Sequence, residues 1–196
     1  MLAGGYEEAG DHGRLRVSEG HAVFHNAFDA HLDRFSPAGA DTVNFELDGW
    51  SEHPVDLTRV ADPDLIARIA ERDPTEAREM LLSAAVPAGR DAKDWPDELA
   101  CSIRDNPNLS LGAWAREHAL APATLSRGFR RVYEVSPCAY RAQTRARRAW
   151  NSIMRSRAPL SEIAFESGFA DQAHMSRAVG WLTGATPSRW RGTKVK

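Results

Sequence analysis

Two segments of this 196-residue chain repeat each other at a fixed offset, and no other feature restricts its fold as much. Residues 125–141 lie over residues 175–191 at a spacing of 50. Leu125 falls on Met175, Ser126 on Ser176, Arg127 on Arg177 and Phe129 on Val179. Further on, Ser136 and Pro137 fall on Thr186 and Pro187, and Tyr140 and Arg141 on Trp190 and Arg191. Each copy predicts a helix, a tight turn, a second helix and then a helix opened by proline. Leu125 with Phe129, and Met175 with Val179, are i, i+4 apolar pairs that turn one helical face inward. Proline pre-sets the backbone of a first helical turn.

In such a helix-turn-helix unit the second helix can enter the major groove of DNA while its apolar face packs on the first. With those pairs inward, Ala123, Thr124, Arg127 and Arg130 point outward in the first copy. Gln172, Ala173, Ser176 and Arg177 do so in the second, and Ser126 and Asp171 complete the residues expected at DNA. The intervening helix, residues 137–156, should be about 30 Å long at about 1.5 Å per residue. That is close to the ~34 Å between successive major-groove faces on one side of a duplex. One chain can therefore set two recognition helices on the same side of B-DNA. Helix pairs with a buried leucine and an exposed arginine also occur in proteins that never meet DNA, so the charge distribution has to decide.

The net charge of −2 conceals two opposed halves. Residues 1–107 carry 10 Lys and Arg against 22 Asp and Glu, a balance of −12. Residues 108–196 carry 15 against 5, a balance of +10. The basic half suits a polyanion, and the acidic half avoids one. Three regions follow. Residues 1–60 read as short strands, because Leu15, Val17, Val23, Phe24, Phe35, Val43, Phe45 and Leu47 are punctuated by Gly13, Gly20, Pro37 and Gly39. Residues 61–107 read as helices, opened in turn by Asp62 with Pro63, by Asp73 with Pro74, and by Asp94 ahead of Trp95 and Pro96. Residues 108–196 are all helical, and Asn106, Pro107 and Asn108 read as the hinge where the charge changes sign. The fold class is thus α+β: a short β region with helices, then an all-α domain of two helix-turn-helix motifs joined by a linker helix.

Several function classes drop out. No run of about 18 apolar residues exists to span a membrane, and residues 1–10, with Glu7 and Glu8, lack the apolar stretch of a secretory signal. Cys101 and Cys138 cannot form a disulfide framework or the four-cysteine zinc cluster of a DNA-repair methyltransferase, and a reducing cytoplasm suits them. No Gly-rich phosphate loop or hydrolytic triad is readable, so the chain is expected to be no enzyme and to need no cofactor.

The second repeat carries Leu160, Ser161, Glu162, Ile163 and Ala164, followed by the unbroken run Gly168, Phe169, Ala170, Asp171, Gln172, Ala173, His174, Met175, Ser176 and Arg177. With Gly184, Thr186, Pro187 and Arg191, this stretch resembles the second DNA-binding motif of the AraC/XylS family almost position by position. Thr124, Leu125, Ser126 and Arg127, with Phe129, Ser136, Pro137 and Tyr140, resemble the first. The resemblance implies a bacterial transcription regulator acting on double-stranded DNA in response to an effector, with RNA polymerase as a further partner. Three departures weaken the first motif: Ala121 where the family caps its helix with serine, Glu134 where it has glycine, and Gly128 inside the helix. Val179 replaces a usual phenylalanine, with Trp181 expected to fill the space.

Residues 13–35 are similar, less closely, to part of the family's cupin-like sensor barrel, which makes His25 and His31, with Phe45, candidates for effector binding. His21, His25 and His31 also invite a metal-dependent oxygenase reading, but the closely spaced His-x-His with a following Glu is missing. No metal site is expected. The strand region is short for a complete barrel, and Leu65, Ile69, Leu81 and Leu82 offer an apolar surface for a homodimer.

Overall fold

The computed structural model describes residues 1–11, 13–47, 57–88 and 94–193. It divides into two compact units at Lys93 and Asp94.

The first unit contains β1 (Ala3–Gly10), β2 (Gly13–Ser18), β3 (His21–Val23), β4 (His31–Asp41), β5 (Leu57–Arg59), α1 (Pro63–Ala70), α2 (Pro74–Ala84) and β6 (Val86–Pro87). The strands form two three-stranded antiparallel sheets, ordered β2-β1-β4 and β3-β5-β6. Strand β1 is the central strand of its sheet, although its sequence gives little strand signal. Glycines and glutamates occupy its pleat, and the apolar alternation comes from its neighbours: Tyr6 sits opposite Val17 and Phe35, and Glu8 opposite Leu15 and Asp33. The turn expected at Pro37 and Gly39 lies inside β4, where the pairing with β1 shifts register between Gly4 and Tyr6. A bulge absorbs the extra residues without ending the strand.

Helices α1 and α2 start where their sequence signals place them. Asp62 accepts from the Leu65 N–H at 2.8 Å, and Asp73 from the N–H groups of Thr75 and Glu76 at 3.0 Å. Their inward faces close a core of Val60, Ile66, Ile69 and Ala77, against which Phe45, Met80 and Leu81 pack. Phe45 is therefore a packing residue of the helical layer. Of the four residues expected to form a dimer surface, Ile69 and Leu81 turn into this core, while Leu65 and Leu82 remain exposed.

The second unit contains α3 (Trp95–Asp105), α4 (Leu111–Glu117), α5 (Pro122–Tyr133), α6 (Pro137–Arg155), α7 (Leu160–Glu166), α8 (Gln172–Thr183) and α9 (Pro187–Gly192). The duplication reaches further than side-chain identity suggests. Burial along residues 95–103 matches residues 145–153 position for position, and residues 121–129 match 171–179. Helix α3 is thus the counterpart of the second half of α6, and Ile103 and Ile153 are both fully buried. Each repeat is one supporting helix, a helix-turn-helix and the start of the next helix.

This moves the boundary. The expected hinge at residues 106–108 lies inside the second unit, tied to α6 by arginines. Arg145 donates to the Pro107 carbonyl at 2.9 Å and to Asn108 Oδ1 at 3.0 Å, and Arg141 to the Leu109 carbonyl at 2.7 Å. Arg191 repeats the last bond on the Ala158 carbonyl at 2.7 Å. The sign change of charge misplaced the boundary because α3 is acidic by composition yet packs by shape.

Candidate nucleic-acid interface

Each motif is a short helix, a left-handed turn and a twelve-residue second helix. The turns share their bonds at a spacing of 49. The N–H groups of Ala119 and Gly168 reach the carbonyls of Arg116 and Phe165, and those of Leu120 and Phe169 reach Ala115 and Ala164. One extra residue before α8 then raises the spacing to 50. Leu125 and Phe129 of α5, and Met175 and Val179 of α8, are buried as the pairing requires. Ala123, Thr124, Arg127 and Arg130 lie exposed on α5, and Asp171, Gln172, Ala173 and Arg177 lie exposed at α8, with Ala173 and Arg177 at the positions of Ala123 and Arg127. Ser126 and Ser176 are half-buried beside them.

The two motifs differ in how their helices are held. Asp171 accepts from the His174 N–H at 2.6 Å, whereas Ala121 offers no side-chain cap at the same place in the first motif. Gly184 closes α8 with φ +72°, where Glu134 closes α5 at φ +57°, and Gly168 turns at +81° where Ala119 does so at +52°. Left-handed backbone costs a residue with a Cβ roughly 1 kcal/mol. Ala121→Ser should therefore stabilise the second unit by about 0.5–2 kcal/mol, and Glu134→Gly by roughly 1 kcal/mol. Denaturant unfolding followed by tryptophan emission measures both, and a fall in stability in either variant would contradict this account of the caps.

Gly128 has a different cause from the slack that the sequence suggests. A Cβ at that position would overlap the Trp95 ring of α3, standing 2.6 Å from its Cη2. The glycine makes room for an aromatic ring. Trp181 also departs from expectation: it is 77 % exposed and does not fill space beside Val179. Instead, Trp150 and Trp190 meet edge-on at 5.8 Å, and Trp190 Nε1 donates to Thr183 Oγ1 at 2.7 Å.

Charge separates the motifs as well. Residues 111–134 hold four arginines against two glutamates, and residues 160–184 hold one arginine against three carboxylates. Arg130 and Arg131 of α5 have Gly180 and Trp181 as their counterparts on α8. Arg177 is the lone arginine of α8, which carries no lysine.

In the first unit His25 and His31 come together, stacked with ring centres 4.1 Å apart. His25 Nε2 lies 3.4 Å from Glu8, which is 2 % exposed, and His31 lies 3.9 Å from Asp33. Burial, and then Glu8 and Asp33, raise the pKa of the adjoining Tyr6 phenol well above its ordinary value. His21 belongs elsewhere, with its ring 3.0 Å from Arg59, and burial followed by that cation lowers its pKa. Among the described residues no group of three or more His, Cys, Asp or Glu is placed to hold a metal ion, and no helix is long and apolar enough to cross a membrane.

Comparison with known proteins converges on the same half. A family model described as a helix-turn-helix domain matches residues 114–193. The virulence regulon transcriptional activator VirF of Yersinia enterocolitica is 31% identical over 85 residues, 43% of this chain and 31% of its own length. The arabinose operon regulatory protein of Escherichia coli (strain K12) is 31% identical over 84 residues, 43% of this chain and 29% of its own. The match thus spans less than a third of the length of these curated relatives. Among solved structures, the C-terminal domain of AraT, a response regulator from Geobacillus stearothermophilus, has a TM-score of 0.47 at 23% identity, covering 50% of this chain and 84% of that one.

Proposed function

We propose that the whole chain is a sequence-specific transcription regulator of the AraC/XylS type, reading double-stranded DNA with α5 and α8, on the premise that residues 114–193 match a helix-turn-helix domain. The observation that carries this reading is the duplicated burial of the two helices. The same outward positions recur at a spacing of 50, with Arg127 and Arg177 in register. An arginine there can bond the edge of a guanine in the major groove. RNA polymerase is proposed as a further partner and the cytoplasm as the compartment, and no catalytic step is assigned to any residue.

The first unit is proposed as the effector sensor. Its support is the stacked His25 and His31 over the buried Glu8, on a sheet face that also carries Tyr6 and Asp33. The exposed Leu65 and Leu82 support pairing of two copies through this unit.

Selection of duplexes from a random pool with the full chain tests the reading. A shared sequence with two half-sites about one helical turn apart is expected, and recovery of unrelated sequences would overturn it. The two motifs should also contribute unequally to salt dependence. Each phosphate neutralised by a cation steepens the fall of affinity with salt. Arg130→Ala and Arg131→Ala should each flatten the log–log salt slope by about 1, whereas Trp181→Ala should leave it unchanged. An equal effect of all three substitutions would refute this division.

A further inference from the structure

We propose that Trp95 of α3 is a positioning residue for DNA reading by the first motif: its ring, seated on Gly128, fixes where α5 lies. The proposal rests on the regulator reading above and goes beyond it, because Trp95 lies outside both helix-turn-helix motifs. Three contacts key α3 to the first motif. The Trp95 ring occupies the space that a Cβ at residue 128 would need. The Tyr133 hydroxyl, at the far end of α5, donates to the buried Asp97 carboxylate at 2.6 Å. Trp114 Nε1 of α4 donates to Ser102 Oγ at 3.3 Å. Helix α5 is thus held at two points five residues apart, Gly128 and Tyr133, on the side away from Arg127 and Arg130.

The second motif has no equivalent of this arrangement. At the repeat spacing Trp95 becomes Arg145, Gly128 becomes Ala178, Asp97 becomes Arg147 and Tyr133 becomes Thr183. The supporting helix there is the second half of α6, already fixed by being continuous with its first half. Helix α3 is only eleven residues long and stands where the chain enters the second unit. It therefore needs its own registration on α5. A side chain as large as tryptophan, resting on a residue without one, sets both the distance and the rotation of the recognition helix. Without the ring, α5 keeps its helical bonds but loses the surface that defines its rotation, so Arg127 no longer meets its base while Arg130 meets a phosphate.

The test uses the full chain and the duplex obtained by selection, with base-substitution scans of both half-sites. Trp95→Ala should lower affinity at least tenfold. It should flatten base preference in the half-site that Arg127→Ala alters, and leave intact the half-site that Arg177→Ala alters. Trp95→Phe should recover part of the affinity. Gly128→Ala should lower both affinity and the thermal midpoint in the native background, and raise the midpoint when Trp95 is alanine, because only helix propensity then remains. Equal flattening of both half-sites by Trp95→Ala, or unchanged base preference, would overturn the proposal. So would an effect of Gly128→Ala that keeps its sign in both backgrounds. The midpoint arm needs no DNA, so it decides the packing even if selection recovers no shared sequence, a result that would remove the regulator reading itself.

Discussion

Arg177→Ala is expected to lose roughly 5- to 150-fold in affinity for a selected duplex, equivalent to about 1–3 kcal/mol, and to relax preference at one base pair. The size follows from how Arg177 is presented. Its helix begins with Asp171 bonded to the His174 N–H and ends at a left-handed glycine, so both ends are ordered before DNA arrives. Binding energy at Arg177 is then spent on recognition alone. As the lone arginine on α8, it has no neighbour on that helix to take over the contact. Arg127 stands at the same place on α5, but with Ala121 uncapped and with Ala119 and Glu134 in left-handed backbone. Part of any contact energy at Arg127 goes into holding those ends, so Arg127→Ala should cost less affinity. Operator affinity at a single salt concentration, with a base-substitution scan, compares the two. Unchanged affinity and unchanged base preference in Arg177→Ala would show that α8 does not read the groove.

Phe129→Ala should destabilise the second unit by about 3–5 kcal/mol, a large part of what a domain of this size holds in reserve. Phe129 is fully buried. It stacks on Tyr133 at 4.5 Å and meets Tyr140 edge-on at 5.3 Å, so removing its ring opens a cavity lined by aromatic faces that cannot collapse onto alanine. Tyr133 is also the residue bonded to Asp97, so the cavity undermines the seat of α3. Val179→Ala, the same substitution one repeat later, removes two methyl groups in place of a ring and should cost clearly less. Five of the six tryptophans lie at residue 95 or beyond, so denaturant unfolding followed by emission reports mainly on this unit. Equal losses in the two variants would contradict the difference in packing.

Much of the helical half was legible because its signals are local. Caps at Asp62, Asp73, Ser136, Asp171 and Thr186 each depend on a side chain two or three residues from the group it bonds, and they form, whereas Asp94 opens α3 without a side-chain cap bond. The offset of 50 is enough to put Arg127 and Arg177 in register. Strand β1 was not legible, because Tyr6 and Glu8 face inward only by virtue of Val17, Leu15, Asp33 and Phe35 on other strands. The packing of Phe45 was not legible for the same reason: an aromatic residue in a strand-rich stretch fits a pocket and a core equally well, and its contact with the cluster of Ile66, Ile69 and Ala77 exists only in the fold.

The sequence alone determined which helices form, where they begin, and which face of α5 and α8 turns outward, since each depends on spacing within about one or two helical turns. It also determined that there are two copies of one unit. Tertiary structure decided what α3 belongs to and why Gly128 is a glycine. Charge counting put α3 with the acidic half, and helix propensity made Gly128 a weakness. Both readings treat a residue through its chain neighbours, whereas Trp95 and Gly128 are 33 positions apart and meet only when α3 lies across α5. Close packing excludes a side chain at one place because another already fills the space, and that relation exists only in the folded unit.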